Sequence, residues 1–160
     1  MDEFTERRAG KLLDKGMGAA ECGRFREARD HFKSAAKAME SADALTYWGW
    51  MEHHLGNTQF AIYLCKRAIQ LDPEFGNPYN DIGSYLMNLN RMDEAIPWLE
   101  KAAKASRYEP RHYPHMNLGR IYLAKRLYLR ALKEFKKALE YSPDDRELQS
   151  IIAAIHRALQ

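Results

Sequence analysis

Four glycines, Gly16, Gly49, Gly83 and Gly119, each stand 12 residues before an alanine: Ala28, Ala61, Ala95 and Ala131. Four residues on come Phe32, Cys65, Leu99 and Phe135, and three further on Ala35, Ala68, Ala102 and Ala138. Steps of three and four put residues on one face of a helix. Turn signals separate the blocks, at Gly23, Gly56-Asn57, Asp72-Pro73, Asn90, Pro110 and Ser142-Pro143. A small residue at a fixed place in each block lets two helix backbones cross closely, and a larger one would force them apart. No stretch alternates cleanly between apolar and polar residues, so the chain is expected to be all-α.

The grid resembles the tetratricopeptide repeat (TPR), a helix–turn–helix unit of 34 residues closed by proline. Four copies fall at 9–41, 42–75, 76–111 and 112–145, with residues 1–8 as an N-terminal extension and 146–160 as a C-terminal capping helix. The third copy runs two residues over the repeat length, which predicts a wider loop from Ser106 to Arg111. The resemblance implies a right-handed superhelical solenoid of antiparallel helix pairs. Leu12, Leu45, Trp48, Tyr79, Ile82, Leu86, Leu118 and Tyr122 would fill the inner stripe of each first helix. A single unit cannot cover its own apolar face, so stacking is obligatory. In the last 15 residues, Leu148, Ile151, Ile152, Ile155 and Leu159 follow a helical pattern suited to covering the final repeat. Several positions depart from the pattern. Lys15 and Glu52 stand where an apolar residue is usual and are expected to snorkel to the edge. Pro97 enters a helix that Asp93 is expected to cap. Cys22 and Cys65 read as small core residues.

Composition narrows the function. The formal charge is only +3 over 160 residues, too mild to argue for nucleic acid by itself. Repeat 4 is locally basic at Lys125, Arg126, Arg130, Lys133, Lys136 and Lys137, but Arg130–Glu134 and Lys136–Glu140 have the spacing of helical ion pairs. No run of about 18 apolar residues predicts a membrane span. The N-terminus lacks a signal-peptide pattern, so a cytoplasmic protein is expected. No phosphate-binding loop, dinucleotide fingerprint, nucleophile elbow or zinc-protease motif is present, so no enzyme and no cofactor are expected. His53-His54 and His112-x-x-His115 lack a third ligand, so no metal is expected either. A His53, His54 and Asp81 site is the one catalytic alternative, and it ranks last.

The resemblance further implies that the first helices of the repeats line a concave groove. The positions it maps there include Tyr47, Trp50, His53, Asn77, Asn80, Asp81, Ser84, Tyr113, Asn117 and Arg120, with Leu13, Asp14, Met17 and Glu21 from repeat 1. Asparagine offers both a donor and an acceptor to a peptide backbone, and aromatic rings anchor at low entropy cost. The expected role is a non-catalytic adaptor or scaffold that holds a peptide or helical segment of another protein. The alternative is a self-assembling module, joined through its ends or its last helix. The two-carboxylate clamp for Hsp70 or Hsp90 tails is not expected. Its positions hold Leu13, Met17, Tyr47, Asn77 and Asp81, or, one repeat on, Thr46, Trp50, Asp81, Tyr113 and Asn117. Neither set supplies the cations that a carboxylate needs.

Overall fold

The structure is a computed structural model that describes residues 2–160. Nine α-helices follow in order among the described residues: α1 (Glu3–Glu21), α2 (Phe25–Ala38), α3 (Ala42–His54), α4 (Thr58–Leu71), α5 (Gly76–Asn88), α6 (Met92–Lys104), α7 (His112–Ala124), α8 (Tyr128–Tyr141) and α9 (Arg146–Ala158). Odd-numbered helices to α7 are the first helices of the repeats and even-numbered ones the second. Each helix packs on its sequence neighbours, and α3, α5 and α7 also touch in turn. The result is an open superhelical stack rather than a closed bundle.

The glycine–alanine crossings are as tight as the sequence demands. A Cβ on Gly16 would lie 2.4 Å from the Phe32 ring, one on Gly83 2.5 Å from Leu99, and one on Gly119 2.7 Å from Phe135. At Gly49 the partner is the smaller Cys65, and the nearest obstacle is the Ala61 carbonyl at 3.1 Å. Cys65 packs instead in one cluster with Tyr85 and Leu86 of the next repeat. The core is thus a string of clusters, each shared between adjacent repeats, as stacking requires.

The four turns inside the repeats share one solution. Gly23, Gly56, Asn90 and Arg126 all take positive φ, between 57° and 90°. In each, the next amide bonds back to a carbonyl five residues earlier, as in Arg24 to Ala19 at 2.9 Å and Leu127 to Tyr122 at 2.8 Å. This satisfies the open carbonyls of the first helix and reverses the chain. Three of these positions are glycine or asparagine, which tolerate the left-handed region; Arg126 does not have that advantage.

Several expectations are corrected. Residues 3–8 are not a separate extension but the first turns of α1, started by Asp2, whose Oδ1 accepts from the Thr5 amide at 2.7 Å. Glu52 does not snorkel; it is buried, because Trp48 Nε1 (2.9 Å) and Asn57 Nδ2 (2.7 Å) donate to its two oxygens. Cys22 is exposed because it caps α1 at the turn, beyond the packed face, while Cys65 is buried. Asp93 caps nothing: α6 begins behind Arg91 without a side-chain bond, and Lys125 Nζ reaches Asp93 at 2.6 Å. Pro97 sits inside α6 and is exposed. In α8, Glu134 meets His115 and Lys137 rather than Arg130, whose guanidinium lies over the Tyr122 ring.

The wide loop forms where repeat 3 runs long, and it folds back on the previous junction. Arg107 exchanges backbone bonds with Glu74 and Gly76, places its guanidinium 3.8 Å over the Phe75 ring, and pairs with Asp43 (3.2 Å) and Asp72 (2.8 Å). Tyr108 is buried against Gly76, where a Cβ would lie 2.5 Å from it. At the other end, α9 buries Leu148 and Ile155 against α8, with Ile151 and Ile152 alongside, and leaves Leu159 exposed.

Candidate functional site

Helix α5 is buried on nearly every side, and what remains open is Asn77, Asp81, Ser84 and Asn88, with Met87 beside them. Their spacing of four, three and four is one stripe along the helix. The same steps give Asp43, Tyr47, Trp50 and His54 on α3, and Tyr113, Asn117, Arg120 and Ala124 on α7. On α1 they give Gly10, Asp14, Met17 and Glu21. Since α3, α5 and α7 lie side by side, these stripes form the hollow face of the stack.

Eight of the residues singled out from the sequence stand on these stripes: Tyr47, Trp50, Asn77, Asp81, Ser84, Tyr113, Asn117 and Arg120, of which Asn117 is buried at the seam with α5, 9% exposed. Asn80 and His53 do not; both sit in the seams between first helices. Asn80 is 9% exposed, and its Oδ1 accepts from Asn117 Nδ2 at 3.1 Å. Asn117 Oδ1 in turn accepts from Arg120 at 3.4 Å. These amides therefore form a chain across α5 and α7, with Arg120 at its open end. His53 stacks on Tyr85 at 4.3 Å and bonds Thr58 Oγ1 and Asn88 Nδ2, each at 3.1 Å. Burial and the neighbouring His54 hold its pKa below the usual histidine range. Tyr47 packs on Phe32 and is half-buried, as is Trp50, which meets His54 edge-on at 5.6 Å. Both rings therefore fill space and present a face to the groove.

Asp81 is the unusual member. It stands mid-stripe, half-exposed at the bottom of the hollow, and has no hydrogen-bond or ion-pair partner among the described residues. Desolvation by the crowded walls raises its pKa to about 7. Burial likewise pushes up the hydroxyls of Tyr47, Tyr85 and Tyr108 and the thiol of Cys65, and the nearby Asp81 charge adds to each shift. The Tyr85 hydroxyl is fully buried and has no partner among the described residues. Tyr108 and Arg107, which arrive from the long loop, carry no mark in the repeat pattern. The extra length of repeat 3 is the signal that pointed to that loop. Asp43 is likewise unmarked, although it stands at the same step of its repeat as Asn77. His115 and Glu134, paired at 2.7 Å on the convex side, were likewise not linked by any spacing in the sequence.

Among the described residues no group of three or more metal-ligating side chains is gathered, and no helix is long and apolar enough to cross a membrane. The arrangement offers hydrogen bonds, aromatic faces and charge, which serve binding.

Three tetratricopeptide-repeat family profiles match the chain, over residues 13–74, 77–108 and 112–145. A curated relative, the BBSome complex member BBS4 of Bos taurus, is 27% identical over 105 residues; the match takes in 66% of this chain but only 20% of that protein. Among solved structures, PilF of Pseudomonas aeruginosa superposes with a TM-score of 0.87 at 20% identity, covering 96% of this chain and 69% of that one. YrrB, described as a TPR protein with an unusual peptide-binding site, superposes with a TM-score of 0.68 at 23% identity, covering 89% and 73%. Matched repeat by repeat in sequence and over nearly its whole length in fold, the chain belongs to the tetratricopeptide repeat family, with four repeats and a terminal helix.

Proposed function

We propose that the protein is a non-catalytic adaptor that holds an extended peptide segment of a partner protein along its concave face. The observation that carries this reading is the run of half-open stripes on α1, α3, α5 and α7, which places Tyr47 and Trp50 beside Asp81, Ser84, Asn117 and Arg120. Rings there supply contact area, and the amides and charges supply direction along a backbone. YrrB, which shares the fold, is described as having an unusual peptide-binding site, and this supports a peptide as the class of ligand. Among the described residues the stripes hold a single cation, Arg120, which speaks against an Hsp70 or Hsp90 tail as the ligand.

A displayed library of random 12-residue peptides, selected on the full chain, tests the proposal. Related sequences should emerge. Ser84→Tyr, which fills the hollow without touching the core, and Trp50→Ala should each weaken the selected peptides by about 10–100-fold. Lys133→Ala, on the outer face of α8, should leave them unchanged. Selected peptides that tolerate both groove variants would remove the reading.

A second reading is self-assembly through the C-terminal end. There Leu127, Leu129 and Leu159, exposed by 38%, 73% and 44%, line one shallow hollow with Tyr128. Such a patch is costly to leave in water. Sedimentation at micromolar concentration decides: a monomer removes this reading, and a dimer lost in Leu129→Lys supports it.

A further inference from the structure

The charge of the groove runs against the charge of the molecule. The chain is net positive by three, yet the four stripes carry Asp14, Glu21, Asp43 and Asp81 against one guanidinium, Arg120. Asp43 is already paired with Arg107, and Arg120 is turned to Asn117. Asp81 is different: at the centre of the hollow, it has no partner among the described residues. Beside it the buried Tyr85 hydroxyl also lacks one. A desolvated carboxylate left unpaired costs free energy that an incoming donor recovers. Tyr47 from α3 and Tyr108 from the long loop stand close enough to Asp81 to feel its charge.

We propose that Asp81 is the receptor for an arginine side chain of the bound peptide. This deepens the adaptor reading and rests on it. A guanidinium suits the place better than an ammonium. It is planar, donates two parallel bonds to one carboxylate, and stacks on aromatic faces, which the half-buried Tyr47 supplies. It is also less strongly hydrated, so it enters a crowded hollow more readily.

The pH dependence follows from the surroundings. The groups facing Asp81 are Tyr47 from α3, Cys65 from α4, Tyr85 on α5 and Tyr108 from the loop. All four are pushed upward, away from neutrality. His53, on the far face of Tyr85, is held below its usual range. Asp81 is therefore the group of this set that ionises near neutral pH, at about 7. Binding of an arginine peptide strengthens as pH rises from 6 to 8.

The test uses peptides selected from the 12-residue library on the full chain, measured by titration calorimetry. An arginine should recur at one position. Its replacement by citrulline, which keeps the shape and loses the charge, should weaken binding by 30-fold or more. Asp81→Asn should weaken the arginine peptide by a similar factor, leave the citrulline peptide within threefold, and abolish the rise with pH. Asp81→Asn keeps the shape of the side chain and removes a partly desolvated charge, so the fold is not at risk, and the circular dichroism melt checks this. Selected peptides that lose binding with Ser84→Tyr but carry no recurrent arginine would overturn this inference and leave the adaptor reading standing. The same holds if citrulline costs the same in wild type and Asp81→Asn. If the library yields no binder, both fall together.

Discussion

At the residue scale, two kinds of position carry the molecule, and they differ in how plainly a sequence displays them. The glycine at each helix crossing is legible because its spacing to alanine repeats four times. Its physical meaning is local: Gly119 has the Phe135 ring where a side chain would start, at 2.7 Å. We expect Gly119→Ala to destabilise the protein by about 1–3 kcal/mol, since overpacking outweighs the better helix propensity of alanine. Adding Phe135→Leu should recover part of the loss, and urea denaturation of the single and double variants measures both. Asp81 is the opposite case. Its type and step are visible in the sequence, but its isolation depends on Tyr47, Cys65 and Tyr108, brought in from three other elements. With its pKa raised to about 7, the folded chain keeps a proton that the unfolded chain releases near pH 4. The contribution of Asp81 to stability therefore falls as pH rises from about 4 to about 7 and then levels. Asp81→Asn removes that slope: it should be neutral at pH 4 and stabilising at pH 8 by ~2 kcal/mol, half the full linkage value because the side chain is partly open to water. Chemical denaturation at the two pH values reads the difference.

At the element scale, helices and turns were readable because each relies on its own residues. Gly23, Gly56 and Asn90 announce three of the four left-handed turns. The fourth, at Arg126, carries no such mark and is found only through its place in the repeat. The long loop was legible as length and not as contact. Two extra residues in repeat 3 foretold a wider connection, but not that Arg107 would reach back to Asp43 and Asp72 and lie over Phe75. Such contacts join residues 32 to 64 positions apart, and no local period encodes them. Because Arg107 is about half-exposed, its ion pairs are screened and each is worth little alone. The stacking adds to them. Arg107→Ala should lower stability by about 1 kcal/mol, with the loss smaller in 1 M salt than at low salt; thermal melts at both salt levels check it. The seam residues teach the same lesson. Asn80 and Asn117 share the composition of an open amide surface, yet the close approach of α5 and α7 turns them on one another at 3.1 Å.

At the scale of the whole molecule, stacking produces the concave face by geometry alone. Each repeat passes its apolar face to the next, so the second helices take the outer side and the first helices line the hollow. The overall charge of +3 hides an acidic inner face, a distribution that composition alone does not reveal. A groove of this kind binds through a surface assembled from four separate helices, and its contacts should appear together or not at all. The most direct measurement is a nuclear magnetic resonance titration of the isotope-labelled full chain with a selected peptide. Binding in the groove predicts amide shifts concentrated at Asp14, Met17, Tyr47, Trp50, Asp81, Ser84, Asn117 and Arg120. Shifts centred instead on the outer helices, at Lys66, Lys101 or Lys133, or on α9 would contradict it.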